Sequence, residues 1–329
     1  MGGIRLVCLL VIFASLSLSS NAAWETYQND LRNSGAANGT GYFPLKTTNF
    51  SSELGNNFQP LIGDIDSNGN NEIVIFANNS LIVFNHQLEM LSQAKVGNIL
   101  GQPALYNSDN DNLMEIIFNS RQNSSDYFFA YQYNNSNVKQ EFNITLPNEA
   151  NFSGIKCLDV NGGGICVFKD RLNYVHIVNL SSRTDNYYNT SAYSEIRDNV
   201  PAIGDIDNDG RYEGVWWFNE DNGGGYGFLV FDLENRSLET NFNNSGIVDN
   251  IFSPYWGSPE IGFFELKGNP VLADMNNDGK LEIAASAFYD DTSIISGRTD
   301  SFTELLVYHH NGTRLYASCN GGLDNCNDD

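Results

Sequence analysis

The chain has 329 residues, enough for a sizeable core in one large domain or two. Acidic residues outnumber Lys and Arg by 40 to 17 and the formal net charge is −23, which argues against nucleic acid or an anionic membrane as partner. Only 17% of residues are charged, and the polar surface is built instead from asparagine, 46 residues in all. Asn, Gly, Ser and Asp are turn formers, so the composition predicts many short strands joined by tight turns.

At the N-terminus, Arg5 precedes the apolar run "LVCLLVIFASLSL" and the small residues "SSNA". The run is short for a membrane span. Ser20 and Ala22 stand at −3 and −1 of a cut after Ala22, so residues 1–22 read as a secretory signal peptide. An uncut anchor is the alternative. No later stretch is apolar enough to cross a membrane. Cys8 leaves with the signal, and Cys157, Cys166, Cys319 and Cys326 remain. Four cysteines in an exported chain fit two disulfides, and their placement suggests Cys157–Cys166 and Cys319–Cys326. Twelve Asn-x-Ser/Thr sequons, at Asn38, Asn49, Asn78, Asn123, Asn134, Asn143, Asn151, Asn179, Asn189, Asn235, Asn243 and Asn311, fit a secreted or cell-surface glycoprotein. Asparagine richness itself generates many of them.

From residue 60 onward the chain repeats itself. "PLIGDIDSNGNNEIVIF" starts at Pro60, "PALYNSDNDNLMEIIF" at Pro103, "PAIGDIDNDGRYEGVWWF" at Pro201 and "PVLADMNNDGKLEIAAS" at Pro270. In each, proline and glutamate stand 12 apart. Apolar residues precede the acids and a β-rich run follows the glutamate, so each copy reads as strand, tight loop, strand.

Three or four carboxylates within nine residues repel unless a cation holds them. A hard cation of Ca²⁺ size takes six to eight oxygens. Side chains at loop positions 1, 3, 5 and 9, with the carbonyl of position 7, supply such a set. The first loop offers Asp64, Asp66, Asn68, the Asn70 carbonyl and Glu72. The second offers Asn107, Asp109, Asp111, the Leu113 carbonyl and Glu115. The third offers Asp205, Asp207, Asp209, the Arg211 carbonyl and Glu213. The fourth offers Asp274, Asn276, Asp278, the Lys280 carbonyl and Glu282. About four Ca²⁺ ions follow. The acid at position 9, between strands, separates these loops from the helix–loop–helix calcium site, whose glutamate is at position 12. Gly69, Gly210 and Gly279 make the sharp turn at position 6, and Asn112 takes that place in the second loop. Metal-free Asp/Asn turns are the simpler alternative. Magnesium fits less well because it keeps its waters.

A fifth copy, "GIKCLDVNGGGICVF" from Gly154, with its degenerate loop at 154–166, keeps Asp159 and Asn161 but lacks the glutamate. Cys157 and Cys166 flank its shortened loop, where a disulfide is expected in place of the metal; a pair of buried thiols is the alternative. Third strands follow at 81–85, 128–132, 175–179, 228–232 and 305–309, ending on Asn85, Gln132, Asn179, Asp232 and His309. The four histidines lie in or beside these strands and read as parts of the repeat rather than as catalysts.

These loops resemble the calcium-loop repeats of FG-GAP and VCBS proteins, including the N-terminal propeller of integrin α chains. The resemblance covers residues 60–318. The Phe-Gly dipeptide of FG-GAP is missing, which favours the VCBS-like branch. "WETYQNDLRNSG", from Trp24, resembles the opening segment of secreted propellers of this kind and of quinoprotein-like repeats. The resemblance implies an all-β fold over 23–329, a β-propeller of four-stranded antiparallel blades with Ca²⁺ loops joining strands one and two. Five repeats are recognised, where the family more often has six or seven blades. A five-bladed ring, a further blade built with 24–59, and a fragment of a longer chain all remain open.

The family's usual role implies a non-enzymatic recognition or adhesion module, exported and binding a protein or a glycan. The alternative is a propeller enzyme, acting on polysaccharide or as a quinone-dependent dehydrogenase. No acid–base set stands out beyond the loops, and no adjacent Cys-Cys pair occurs. A structural module within a larger adhesin is a third reading. Insertions gather in the connections opposite the metal loops, including the excursion 244–269. That face, around Tyr187, Tyr188, Tyr255, Trp256 and Asp290, is the expected ligand surface.

Overall fold

The computed structural model describes residues 59–109, 111–147, 153–170, 172, 174–190, 200–220, 225–248, 263–291 and 300–319. Among them every regular helix-or-strand element is a β-strand. Residues 1–22, read as a signal peptide from the sequence, and Tyr255, Trp256 and Cys326 lie outside the described residues.

Five antiparallel sheets follow one another along the chain. Blade one is β1 (Leu61–Gly63), β2 (Glu72–Ala77), β3 (Ser80–Phe84) and β4 (Met90–Lys95), in that spatial order. Blade two opens with two short pieces, β5 (Asn98–Ile99) and β6 (Ala104–Tyr106), that both pair with β7 (Glu115–Gln122), and continues through β8 (Ser125–Asn134) and β9 (Asn137–Thr145). Blade three is β10 (Lys156–Val160), β11 (Gly163–Lys169), β12 (Tyr174–Asn179) and β13 (Thr184–Asn189). Blade four is β14 (Ala202–Gly204), β15 (Glu213–Glu220) and β16 (Gly225–Asp232), with β17 (Ser237–Leu238) and β18 (Ile247–Val248) both on β16. Blade five is β19 (Phe263–Ala273), β20 (Glu282–Asp291), β21 (Asp300–Tyr308) and β22 (Arg314–Cys319). The first strands of successive blades lie side by side, β1 by β6, β6 by β10, and β14 by β19. Four-stranded meanders standing around their first strands make a β-propeller.

Alternation of side chains explains how the blades stick together. On β2, Val74 and Phe76 turn to blade two, where they meet Ile116, Phe118 and Phe129. Ile117 and Phe128, on the reverse side of blade two, meet Cys166 and Phe168 of blade three. The neighbours Trp216 and Trp217 point opposite ways. Trp216 packs against Ile165 and Val167 of blade three, and Trp217 against Leu272, Ile283 and Leu306 of blade five. Strands of this kind are buried on both faces and therefore read as unbroken apolar runs. The remaining faces of blades one and five are more open. Ile62, Ile73, Ile75 and Ile82 are half-buried, and Leu305 is exposed. How the ring closes lies outside the described residues.

The segment 244–269, expected as an excursion, is strand at both ends: β18 pairs with β16, and β19 already begins at Phe263. Pro270 therefore sits inside a strand. It does so at a register slip between Lys267 and Val271, on the edge strand of its sheet, where no ladder donor is missed.

Candidate metal centres

Each repeat loop closes the first hairpin of its blade, and its glutamate is the first residue of the second strand. The glutamate is buried in all four: Glu72, Glu115, Glu213 and Glu282 are at most 1% exposed. One carboxylate oxygen always accepts the backbone N–H early in the loop: Ile65 at 3.1 Å, Ser108 at 2.5 Å, Ile206 at 2.8 Å and Met275 at 2.8 Å. The first aspartate accepts the N–H groups of positions 5 and 6: Asn68 and Gly69 donate to Asp64, Asp209 and Gly210 to Asp205, and Asp278 and Gly279 to Asp274. Gly69, Gly210 and Gly279 have φ of 87°, 92° and 86°, and Asn112 has 69°. The position-6 turn is thus left-handed throughout, as the glycines predict.

Three loops bring their acids together. Asp64, Asp66 and Glu72 each place an oxygen within 4.8 Å of the others, and so do Asp109, Asp111 and Glu115, and Asp205, Asp207 and Glu213. Asn68 turns its oxygen to Asn70 N–H, Asp209 accepts Arg211 N–H, and Asp111 accepts Leu113 N–H, so these position-5 groups also brace the turn. In the fourth loop, Asn276 turns its amide nitrogen toward Glu282 at 3.0 Å and Asp278 at 3.1 Å. Lys280 N–H donates to Asp278. An amide donor at position 3 fills the space that a third acidic oxygen takes elsewhere.

The cages fit a hard cation. Glu213 Oε1 and Asp207 Oδ1 are buried with no hydrogen-bond partner, and both belong to the third cluster. Buried oxygens without donors are costly, and a cation would satisfy them. Without one, burial and the Asp66 and Asp64 charges push Glu72 up to about 7. Burial, Asp207 and neighbouring acids push Glu213 up to about 9. Glu115 is raised by burial against the pull of the Ser108 donors.

Third-strand ends complete these centres, a role not anticipated from sequence. Gln132 Nε2 donates to Asp111 at 2.7 Å and to Glu115 at 3.3 Å. His309 Nδ1 is 3.4 Å from Glu282. At the same place in blade four stands Asp232, and with Glu213 and Glu239 it forms a second, wholly buried acidic cluster. Arg211 answers it: the guanidinium pairs with Asp209 and reaches Asp232 at 3.2 Å. Successive loops also touch. Ile65 C=O accepts Met114 N–H at 3.4 Å and Ile206 C=O accepts Leu281 N–H at 2.9 Å.

No family model matches the chain, and no curated protein matches it. Two of the solved structures it resembles are crystal structures of BBS1N in complex with ARL6DN, one soaked with lead and one with mercury. Both are 12% identical, with TM-scores of 0.45 and 0.42 over 79% of this chain and 81% and 79% of theirs.

In the degenerate copy Cys157 and Cys166 are direct cross-strand partners and form a disulfide. Asp159 accepts Tyr106 O–H from blade two at 2.7 Å, and Asn161 donates to Glu234 of blade four at 2.9 Å, so its polar groups serve neighbours. Cys319 ends β22, and its expected partner Cys326 is outside the described residues. Tyr187 is 53% exposed on β13, whereas Tyr188 packs on Phe231, 5.8 Å between rings. Asp290 is on β20, two blades away.

An acid–base cluster does exist beyond the loops. His176 is fully buried, stacked on Phe168, with Nδ1 2.8 Å from Asp185 and Nε2 3.3 Å from Asp170. Burial opposes its charge, but the two carboxylates outweigh that and raise it. Sealed from solvent, it ties the outer strands of blade three.

A cleft of about 270 Å³ opens beside the second loop, lined by Ser108, Asp109, Glu141, Phe142, Leu180, Ser181 and Arg183. Arg183 lies over the Phe142 ring at 4.9 Å and is 3.7 Å from Glu141. The cleft is at the metal-loop end, opposite the face expected from the insertions.

Proposed function

We propose that this chain is an exported, calcium-rigidified β-propeller that recognises a protein or glycan without acting on it chemically. The observation that carries the reading is the set of three Asp–Asp–Glu cages, each with oxygens within 4.8 Å. Oxygen-only donor sets of this size suit Ca²⁺, held with the carbonyl at position 7. The ions would stiffen the loop end of the disc and, through the Ile65–Met114 and Ile206–Leu281 contacts, tie one blade to the next. Export is supported by the disulfide, a bond that persists in oxidising compartments, and by the signal-like N-terminus. Sequon residues Asn78, Asn123, Asn134, Asn143, Asn189, Asn235, Asn243 and Asn311 are exposed, as glycosylation requires. A non-catalytic role is supported by the burial of His176.

Calcium bound per chain, counted after equilibrium dialysis of the secreted protein, tests the proposal. About three to four ions are expected, and Asp205→Asn should remove one. A chain that holds no calcium sinks it.

A further inference from the structure

The cleft between blades two and three has no part in the metal cages beyond the Asp109 wall, yet its polar groups are left unfinished. Glu141 Oε2 is buried with no hydrogen-bond partner. The nearby cation, Arg183, stops 3.7 Å from the other oxygen, Glu141 Oε1, beyond hydrogen-bond reach, and is 55% exposed. Native structures seldom strand a buried acceptor, so something else completes this one. Arg183 is held in position by its left-handed backbone, φ 55°, and by the Phe142 ring beneath it. Acceptor, donor, the Ser181 hydroxyl and an apolar floor from Phe142 and Leu180 thus converge on one small space.

Charge narrows the ligand. An anion would meet Asp109, Asp111 and Glu141. A cation would meet Arg183 and the calcium that the preceding reading places against Asp109. A neutral molecule with paired hydroxyls satisfies both sides, giving a proton to Glu141 and accepting one from Arg183. The volume, about 270 Å³, is just under the ~300–1,000 Å³ of sites for drug-sized ligands, so the cleft takes about one ring, with the rest of a chain left in solvent.

We propose that this cleft binds a single neutral hexose unit of a glycan, with Glu141 and Arg183 bracketing adjacent hydroxyls. The proposal rests on the reading of the protein as a recognition module and names its ligand class and its place.

Saturation-transfer NMR and calorimetry on the secreted protein, with the methyl glycosides of glucose, galactose and mannose in calcium, test it. At least one hexoside should bind. Arg183→Ala, at a largely exposed position, and Glu141→Ala should each weaken it about tenfold or more, the worth of one hydrogen bond to a charged group. No hexoside binding, binding that both variants leave intact, or a preference for acetate or methylammonium would overturn the assignment. A melting shift in EGTA without sugar binding leaves the calcium reading standing and removes this one. Variant-sensitive sugar binding with no response to EGTA does the reverse.

Discussion

Chelation should bring this propeller close to unfolding. Three cages gather their acids, and each ion present at a hundredfold excess over its Kd adds about 2.7 kcal/mol to the native state, so three add about 8 kcal/mol. A whole domain is stable by only about 5–15 kcal/mol. At about 2 °C per kcal/mol for a large chain, EGTA should lower the melting temperature by roughly 15 °C. Circular dichroism melts in calcium and in EGTA measure it. The loss should also depend on pH. In the metal-free protein Glu72 and Glu213 rise from 4.5 to about 7 and about 9, so the native state binds more protons than the unfolded chain between those values. Stability of the chelated protein therefore falls as pH rises from 5 through 9. In calcium the same groups stay ionised and acid displaces the ion. The two melting curves should converge near pH 5 and separate widely at pH 8. An EGTA melt superimposed on the calcium melt at pH 8 would refute the reasoning.

Cys157→Ser with Cys166→Ser opens a loop of separation 9 and should cost about 2.7 kcal/mol by chain entropy, read as a lower melting temperature in calcium. Unchanged stability would mean the bond does not form in solution. His176→Leu leaves Asp170 and Asp185 buried without their cation and should cost about 3–5 kcal/mol. Because the folded imidazole is raised, its contribution is complete below its unfolded value and lost as pH rises through the folded one, so the wild-type advantage should narrow in alkali. Equal advantage at all pH values would mean that packing on Phe168, not charge, is what His176 supplies. Arg211→Gln removes the cation beside Asp209 and Asp232, so the melting gap between calcium and EGTA should grow. A smaller gap would show that Arg211 supports the ion rather than competing with it.

The loops were legible because their chemistry is local. Position 1 braces positions 5 and 6, position 9 caps position 2, and position 6 needs a left-handed residue, all within one short string. The strands were legible too, since "VWWF" reads as an apolar β-rich run after the glutamate; that Trp216 and Trp217 face different blades came only with the structure. What was hidden is what other strands bring. Asp170 and Asp185 reach His176 from the next strand and a loop, and Glu141 and Arg183 meet across two blades. No spacing in the sequence encodes such meetings. Pro270 misled in another way. Proline signals a strand start, but the edge of a sheet also accepts it mid-strand.

One loop design is thus placed in three charge settings by a residue outside it. In blade two, Gln132 donates to Asp111 and Glu115, offering neutral hydrogen bonds that a cation can replace. In blade five, His309 stands by Glu282, Asn276 fills the cage with an amide, and Lys280 and His310 lie at 3.1 Å from each other alongside. There the protein's own donors already do part of a cation's work. In blade four, Asp232 and Glu239 add two carboxylates where blades two and five have donors; Arg211 is the cation beside Asp232, and Asn235 and backbone N–H groups donate to the pair. Coulomb attraction scales with the local charge, so on the calcium proposal the 205–213 loop should bind its cation most tightly of the set and the 274–282 loop least. The blades flanking blade four are joined to it by the Leu281–Ile206 hydrogen bond on one side and the Asn161–Glu234 contact on the other. Blade two is tied to both neighbours in the same way, through Ile65–Met114 and Tyr106–Asp159, so an ion in either loop would stiffen the blades on each side of it.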